Sequence, residues 1–416
     1  MSISADITIV GAGPYGLSIA AHLKQLGLQF RIIGSPMHTW RTHMPKGMHL
    51  KSAGLSATLF DPERKFSLKD YCRQNDIPYE DEGLPISLEL FTQYGIAFQQ
   101  QFAPHLEEAK VVQLKKQGDG FKLTLDNDDQ FTSGKVVLAV GIDYFRYIPP
   151  ILHQLNDQHF SHSSQHHDLS RFVGQDIAII GSGSSAIDMA VLLNEIGANP
   201  VLLARRTALN FNLKEGRVRG FWSRILAPMS GLGPGWNNLL CASVPGLFRY
   251  LPDKTRIRIA KDFLGPSGTW FIQERLNKVP VNLGQHLVSA HSAKSKAQLH
   301  FRGPDGKISE IQVDHVIAAT GYKAHLDGIS FLDTGIREQI QLIGNTPRLS
   351  QNFESSVDGI YFAGPSTVNN FGPLMRFALG AGYTSKKISQ HLASELGMGE
   401  QSLKRQQASV DGQYQR

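Results

Sequence analysis

The chain has 416 residues, 41% of them hydrophobic, which is enough to bury a large core divided into two or three lobes. Its formal net charge of +6 is mild for this length and favours a generally basic surface over a nucleic-acid-binding footprint. Its two cysteines form no C-x-x-C pair, which excludes a dithiol redox motif and a cysteine zinc cluster. No apolar run reaches the length of a membrane span, so we expect a cytoplasmic protein without a transmembrane segment.

The first segment, DITIVGAGPYGLSIAAHLKQLG, carries Gly11, Gly13 and Gly16 in a G-x-G-x-x-G pattern. A short β-branched run precedes these glycines and a helical pattern follows them, which is the context of a dinucleotide-binding fingerprint. The glycines permit a sharp turn and let backbone N–H groups approach a pyrophosphate at the helix N-terminus. The apolar run contains Asp6 and lacks a preceding basic region, so it is predicted as a strand rather than a signal peptide.

The next part of the chain has a different pattern. Helices are predicted at 66–75 and 87–103, and residues 111–141 alternate like antiparallel strands. The polar stretch 153–171 is predicted as an exposed linker with no metal site, because the spacing of its four clustered histidines fits no common zinc geometry. These four are His159, His162, His166 and His167.

A second fingerprint, DIAIIGSGSSAIDMAVLLNEIG, has its first glycine at Gly181, 170 positions beyond Gly11, and continues through Gly183, Ser184 and Ser185. One such motif is a weak signal, but two motifs, each between a strand and a helix, imply two nucleotides in one chain. The usual reason to bind two nucleotides is to pass a hydride from one to the other.

The strand that follows the second fingerprint ends in Arg205 and Arg206. A guanidinium at this point suits a 2′-phosphate, because its planar fork donates paired hydrogen bonds to phosphate oxygens. The sequence therefore predicts NADPH in preference to NADH. The alternative is that both arginines are solvated residues at the end of a strand.

Residues 207–275 do not continue the strand-helix alternation and are rich in Gly, Pro and Trp. We interpret them as a cap that shapes a substrate pocket. An ordinary subdomain with a solvated basic face is the next alternative, and a peripheral membrane patch is the least favoured. Beyond them, Thr320 and Gly321 are predicted to contact a nucleotide, the alternative being that they only turn the chain.

With both fingerprints, LAVG (138–141), DHVIAATGY (314–322) and DGIYFAGP (358–365) present, the chain resembles the flavin-dependent monooxygenases with two dinucleotide-binding domains. That superfamily includes flavin-containing monooxygenases, Baeyer–Villiger monooxygenases and amino-acid N-hydroxylases. The segment WRTHMPKGMHLKS (40–52) looks like their Trp-Arg segment, and FSHSSQHH (160–167) looks like a degraded Phe-x-Gly-x-x-x-His signature. The resemblance spans Asp6 to about Leu396 and implies an α/β fold with two Rossmann-like domains, the second inserted into the first.

The resemblance implies an FAD-binding domain at 1–168 and 323–396, an inserted NADPH-binding domain at 169–322, and a polar tail at 397–416. It implies that reduced flavin and molecular oxygen form a hydroperoxide that oxygenates a small-molecule substrate, while the protein supplies orientation and desolvation. One alternative is an FAD-containing reductase or oxidase that oxygenates nothing, and another is a flavoprotein sensor without turnover. The substrate and the oligomeric state stay open.

Two departures from related flavoproteins bear on the FAD site. Gly34 stands where many FAD domains have a ribose-binding acid, so ribose recognition is assigned to Ser35, Trp40 or Arg41. Pro365 follows Gly364 where disulfide-reductase-like relatives are acidic, which argues against a disulfide reductase.

Catalytic candidates come from two segments. Arg376 lies at the start of a long amphipathic helix predicted over 373–396, where a helix N-terminus near the flavin would stabilise negative charge. A surface salt bridge is the alternative for this arginine. Lys51 and Ser52, which close the Trp-Arg segment, are comparable candidates. The residues assigned to cofactors are Gly11, Gly13, Gly16, Trp40, Arg41, Gly181, Gly183, Ser184, Ser185, Arg205, Arg206, Thr320, Gly321 and Gly364.

Overall fold

Two sheets built around parallel strands organise the chain, which the structure, a computed structural model, describes over residues 4–212, 225–265, 267–293 and 295–397. The first sheet comprises β1 (Ser4–Val10), β2 (Phe30–Ile33), β3 (Val111–Gln117), β4 (Gly120–Leu125), β5 (Gln130–Leu138) and β18 (Ile360–Phe362). β1 pairs in parallel with β2 and β5, and β18 pairs in parallel with β5. β4 and β3 extend the sheet in antiparallel pairs.

The second sheet is entirely parallel, in the order β11, β8, β7, β15, β6. Its strands are β6 (Phe160–His162), β7 (Asp176–Ile180), β8 (Asn199–Ala204), β11 (Val281–Leu283) and β15 (His315–Ala318). All of them lie in the chain between β5 and β18 of the first sheet. The predicted α/β fold, with one Rossmann-like unit inserted into another, is therefore confirmed.

The remaining elements surround these sheets. The helices are α1 (Pro14–Gln25), α2 (His38–Thr42), α3 (Leu68–Gln74), α4 (Leu88–Phe102), α5 (Ser184–Glu195), α6 (Trp236–Ser243), α7 (Asp253–Asp262), α8 (Gln273–Leu276), α9 (Thr334–Gln339), α10 (Val368–Phe371) and α11 (Ala381–Glu395). The other strands are β9 (Met229–Ser230), β10 (Gly233–Pro234), β12 (His286–Ala293), β13 (Lys296–Arg302), β14 (Ile308–Val313), β16 (Leu342–Ile343) and β17 (Thr346–Pro347). Apart from Gly397, the predicted polar tail lies outside the described residues.

Serine caps set the starts of the two helices predicted at 66–75 and 87–103. Ser67 accepts a hydrogen bond from the Asp70 N–H while the Asp70 carboxylate accepts from the Ser67 N–H, so a full capping box precedes α3. Ser87 accepts from the Leu90 N–H at the start of α4. Both helices are present because these caps satisfy N–H groups that lack helical partners.

The helix predicted over 373–396 begins later than its apolar pattern suggests. Pro373–Arg376 and Ala378–Gly380 are separate 3₁₀ turns, and the α-helix α11 starts only at Ala381. The Tyr15 hydroxyl lies 3.0 Å from the Met375 carbonyl oxygen and 2.9 Å from that of Phe377, and the Phe377 backbone is extended. The Tyr15 hydroxyl of α1 thus donates to carbonyl oxygens that would accept from backbone N–H groups in a continuous helix. The prediction that Arg376 starts the long helix is wrong.

The histidine-rich stretch is not an exposed linker. Its residues 160–162 form β6, which pairs with β15 at the edge of the second sheet, although the sequence groups residues up to 168 with the first domain. His159, His162 and His166 are buried. His162 and His166 form hydrogen bonds inside the protein that replace those to water, and the His166 ring packs edge-on against Phe172.

A serine-centred hydrogen-bond relay connects the buried rings. The Ser161 Oγ atom lies 2.6 Å from His166 Nε2 and 2.7 Å from His315 Nε2. Because His315 Nδ1–H donates to the Gln158 carbonyl at 3.1 Å, its Nε2 accepts from Ser161, and Ser161 in turn accepts from His166. Burial lowers the pKa of His162, His166 and His315 from 6.5 to about 4. All three rings are therefore neutral at pH 7.

We predict that these histidines make the fold acid-sensitive. The unfolded chain binds protons near pH 6.5, whereas the folded rings stay neutral down to about pH 4. Stability should therefore be intact above pH 6.5 and fall as the pH drops towards 4, by about 1.4 kcal/mol per pH unit for each ring. Urea unfolding across this range measures the slope.

The variant His166→Gln separates the titration of this ring from general acid denaturation. The glutamine amide can still donate to Ser161, but it cannot take up a proton. We expect its slope to lack the contribution of one proton, while exposed His286→Gln retains the full slope. Equal slopes in His166→Gln and the unmodified protein would contradict this account.

Candidate active site

A cavity of about 970 Å³ lies at the carboxyl ends of β1, β2 and β5, where ligands bind in open parallel sheets. Among the predicted site residues, those that line it are Gly11, Gly13, Ser35, Trp40, Gly364 and Arg376. The structure thus brings together the first fingerprint, the Trp-Arg segment and the C-terminal return, which is the segment 363–378 after β18. Gly16, Arg41, Lys51 and Ser52 are outside this lining.

The fingerprint glycines have different structural roles. Gly11 has φ +112°, and a Cβ atom there would lie 2.3 Å from the Ala139 carbonyl oxygen at the end of β5. A Cβ atom at Gly16 would lie 1.9 Å from the Gly11 carbonyl oxygen, so this glycine permits contact between helix and strand. Around Gly13 there is space, because its nearest neighbour would be the Trp40 ring at 3.7 Å. No side chain caps α1, which leaves its first N–H groups for a ligand anion.

The segment after β2 carries polar groups that sequence reasoning missed. His38, His43 and Asp143 line the cavity, with potential ligand atoms within 4.8 Å of one another. The Thr39 hydroxyl donates to the Asp143 carboxylate at 2.9 Å. Asp143 comes from the loop after β5, so residue spacing gave no signal of this proximity. Arg41 is exposed, its nearest polar contacts being Ser35 and the Pro36 carbonyl.

Arg376 connects the cavity wall to the predicted cap. One of its Nη atoms donates to the Phe263 carbonyl, and its Nε atom is buried without a hydrogen-bond partner among the described residues. This arginine reaches the cavity from a 3₁₀ turn rather than from a helix N-terminus. A buried, unpaired guanidinium N–H beside a cavity is a donor available to a ligand.

Lys51 and Ser52 line a separate recess of about 40 Å³, together with Asn212 and Trp270 of the predicted cap. Burial and the positive charge of Arg376 lower the pKa of the Lys51 ammonium, and the Asp188 carboxylate opposes this shift. Ser56 donates to the Gly231 carbonyl at 2.7 Å, a further link to the cap. Residues 213–224 of the predicted cap lie outside the described residues.

Asp188 is a buried carboxyl that sequence reasoning did not identify. It lies within α5, and burial raises its pKa from 3.8 to about 7 against the opposing charges of Arg275 and Lys51. Arg275 is itself paired with Glu195 at 2.7 Å. An acid on the inner face of an amphipathic helix breaks the apolar pattern, and that irregularity was the available signal.

The second fingerprint repeats the geometry of the first. Gly181 has φ +156°, and a Cβ atom there would lie 2.3 Å from the Ala319 carbonyl oxygen at the end of β15. Gly183 precedes α5, whose N-terminus has no side-chain cap. Ser184 donates to the Ser267 carbonyl at 2.6 Å, while Ser185 is half-buried beside it. The backbone of this turn is thus arranged like that of the first fingerprint.

Of the remaining predicted residues, two are exposed and two form hydrogen bonds within the protein. Arg205 and Arg206 are exposed just beyond β8, and neither forms an ion pair with a described residue. The Thr320 hydroxyl donates to the Tyr147 carbonyl, and the Gly321 carbonyl accepts from the Tyr147 N–H at 2.9 Å and from His162 Nε2 at 3.3 Å. The side chain of Thr320 and the carbonyl of Gly321 therefore serve the turn that leaves the second sheet.

A family model described as pyridine nucleotide-disulphide oxidoreductase matches residues 8–219, just over half of the chain. An uncharacterised oxidoreductase of Geobacillus kaustophilus is 28% identical over 195 residues, which cover 46% of this chain and 51% of that protein. A ferredoxin–NADP reductase of Shouchella clausii is 27% identical over 299 residues, which cover 67% of this chain and 80% of that protein. The chain thus spans about half the length of the first relative and most of the second.

Among solved structures, the reduced form of an ornithine hydroxylase from Pseudomonas aeruginosa superposes with a TM-score of 0.75. The alignment covers 95% of this chain and all of that chain, at 17% sequence identity. At this identity the similarity establishes the fold alone.

The duplicated turn provides a reciprocal pair of variants. We predict that Gly13→Val folds but loses FAD, because its methyl groups occupy the space between α1 and Trp40. Gly183→Val, at the same position of the second fingerprint, should keep FAD and raise the Kd for NADPH by about tenfold or more. Flavin absorbance of the purified proteins and NADPH titration measure the two effects. The assignment of one nucleotide to each turn would be contradicted if each variant lost both cofactors, or if each variant kept both.

Proposed function

The chain belongs to the pyridine nucleotide-disulphide oxidoreductase family, and we propose that this flavin-dependent oxidoreductase takes electrons from NADPH and inserts one oxygen atom of O₂ into a small organic substrate. The observation that carries the proposal is the pair of glycine turns, each with an uncapped helix N-terminus. One turn lies beside a large cavity, and the strand after the other ends in two exposed arginines that form no ion pair with a described residue.

The residues of the first cavity fit FAD. Its volume of about 970 Å³ matches an extended ligand, at the upper end of ordinary ligand sites, which are about 300–1,000 Å³. Gly11 and Gly13 would let the pyrophosphate approach the N–H groups of α1, and Ser35 and Trp40 lie where the ribose is expected. When bound, FAD supplies hydride acceptance and oxygen activation.

NADPH is assigned to the second turn. The N-terminus of α5 would bind the pyrophosphate through backbone N–H groups, because the Ser184 hydroxyl is already used by Ser267. Arg205 and Arg206 would bind the 2′-phosphate, since both are exposed and have no described acidic partner. The relative named as a ferredoxin–NADP reductase supports the same coenzyme.

The region between the two turns carries the groups proposed to act on the substrate. The free Nε–H of Arg376 would hold negative charge on a ligand in the cavity. The Asp188 carboxyl, with a pKa of about 7, can hold or release a proton at neutral pH beside the Lys51 amine. The predicted cap contacts this side through the hydrogen bonds of Arg376 to Phe263 and of Ser56 to Gly231, and its proposed role is to limit water there.

A second candidate function is electron transfer from NADPH to a protein acceptor without oxygenation. The ferredoxin–NADP reductase relative, which matches 67% of the chain, favours it. The cap favours oxygenation, because a reductase must leave its flavin edge open to a protein, whereas an oxygenase gains from a closed, dry site.

Removing the arginine pair tests the coenzyme assignment. We predict that the variant R205Q/R206Q raises KM for NADPH by about tenfold or more, because charge-assisted hydrogen bonds to the 2′-phosphate are lost. KM for NADH and kcat should change little, and Arg302→Gln, at another exposed arginine, should leave both coenzymes unaffected. An equal loss with NADPH and NADH would assign the arginines to something other than the 2′-phosphate.

Labelled oxygen tests the reaction. The protein, loaded with FAD, is supplied with NADPH, ¹⁸O₂ and a panel of amines, thioethers and ketones. We expect one labelled atom in the product and one in water for each NADPH consumed with a productive substrate. NADPH oxidation that yields only hydrogen peroxide across the panel, or that reduces ferredoxin instead, would overturn oxygenation and leave the second candidate.

A further inference from the structure

Exposed apolar side chains are concentrated in one stretch of the predicted cap. Of the sixteen large hydrophobic residues exposed among the described residues, eight fall within 225–251. Tyr250 is 80% exposed, Leu226 73% and Leu247 62%. A few exposed hydrophobic residues are normal on a soluble protein, but a contiguous group of them marks an interaction surface.

Helix α6 lies in this stretch without any buried residue, although most of its sequence, WNNLLCAS, is apolar. Trp236 and Leu240, one helical turn apart, share a face and are 55% and 56% exposed. Helices of folded domains normally bury such a face. The outward face of α6 is therefore available to something outside the described chain.

The same region has a second, packed side that holds it in place. Phe248 is buried against Gly372, where a Cβ atom would lie 3.1 Å from its ring. Arg249 donates to the Leu349 carbonyl at 3.1 Å. These contacts define the inner side of this region. Its outer apolar residues are not needed for those contacts.

The positive charge of the chain is concentrated in the same part of the sequence as these apolar residues. Residues 213–265 contain nine lysines and arginines against three acidic residues, an excess of six that equals the formal net charge of the whole chain. On α7, Lys254, Arg258 and Lys261 recur at helical spacing and all three are exposed. Arg256 points inward and is paired with Asp253. The outer face of α7 thus carries three basic side chains, with Asp262 as the exposed acidic residue of the helix.

We propose that this surface docks the protein onto an anionic phospholipid bilayer. Leu226, Trp236, Leu240 and Tyr250 would enter the interface, where Trp and Tyr are favoured, while the basic face of α7 contacts lipid phosphates. Among the described residues, no helix is long and apolar enough to cross a bilayer, so the contact is peripheral. A second copy of the chain fits less well, because two like-charged faces would repel each other.

Co-sedimentation of the full-length protein with vesicles tests the docking. The protein should sediment with phosphatidylcholine vesicles that contain phosphatidylglycerol, remain in solution with phosphatidylcholine alone, and be released by salt. Replacing the apolar pair (L240Q/L247Q) should weaken binding by about tenfold or more. Reversing the basic pair (K254E/R258E) should abolish the preference for phosphatidylglycerol.

The matched control replaces two apolar residues that are exposed elsewhere, Val112→Gln and Val173→Gln, and should bind like the unmodified protein. Thermal unfolding verifies that every variant is folded. Absence of binding to phosphatidylglycerol vesicles would overturn the proposal. So would a dimer in light scattering that L240Q/L247Q dissociates while vesicle binding is unchanged, because the surface would then belong to a second copy.

Discussion

The close contact between a fingerprint glycine and the carbonyl at the end of a neighbouring strand constrains both halves of this protein. Gly11 meets Ala139 and Gly181 meets Ala319, and in each case a Cβ atom would lie 2.3 Å from the carbonyl oxygen. Both glycines have positive φ values, so a side chain is excluded by space and by backbone conformation. The contact fixes how each strand turns into its helix, and hence where each uncapped helix N-terminus points.

The C-terminal return depends on contacts between distant parts of the chain. The Tyr15 hydroxyl from α1 engages the carbonyls of Met375 and Phe377, while Arg376 between them donates to Phe263 of the cap. One short turn therefore joins the first fingerprint helix, the cavity wall and the region predicted as a cap. This explains why the turn is not part of the long helix, and why a cation within it faces the cavity.

The sequence predicted the features that depend on local signals. The two glycine fingerprints, their strands and helices, and the insertion of one unit into the other follow from short patterns and their order. It did not predict that His162 and His166 are buried, because the strand β6 has only three residues and its side chains also bond to His315 and Gly321, which are distant in the chain. The grouping of Asp143 with His38 was missed for the same reason. Asp188 did give a local signal, its break in the apolar pattern of α5, but that break does not indicate the burial that raises its pKa.

The central claim is that one chain binds two nucleotides so that a hydride passes between them. Anaerobic mixing of the flavin-loaded protein with NADPH tests it most directly, with the flavin absorbance followed in time. The account predicts full bleaching by one equivalent of NADPH, slowed when deuterium replaces the transferred hydrogen at C4 of the nicotinamide, and slower still with NADH. A fully loaded protein that NADPH leaves oxidised would contradict it.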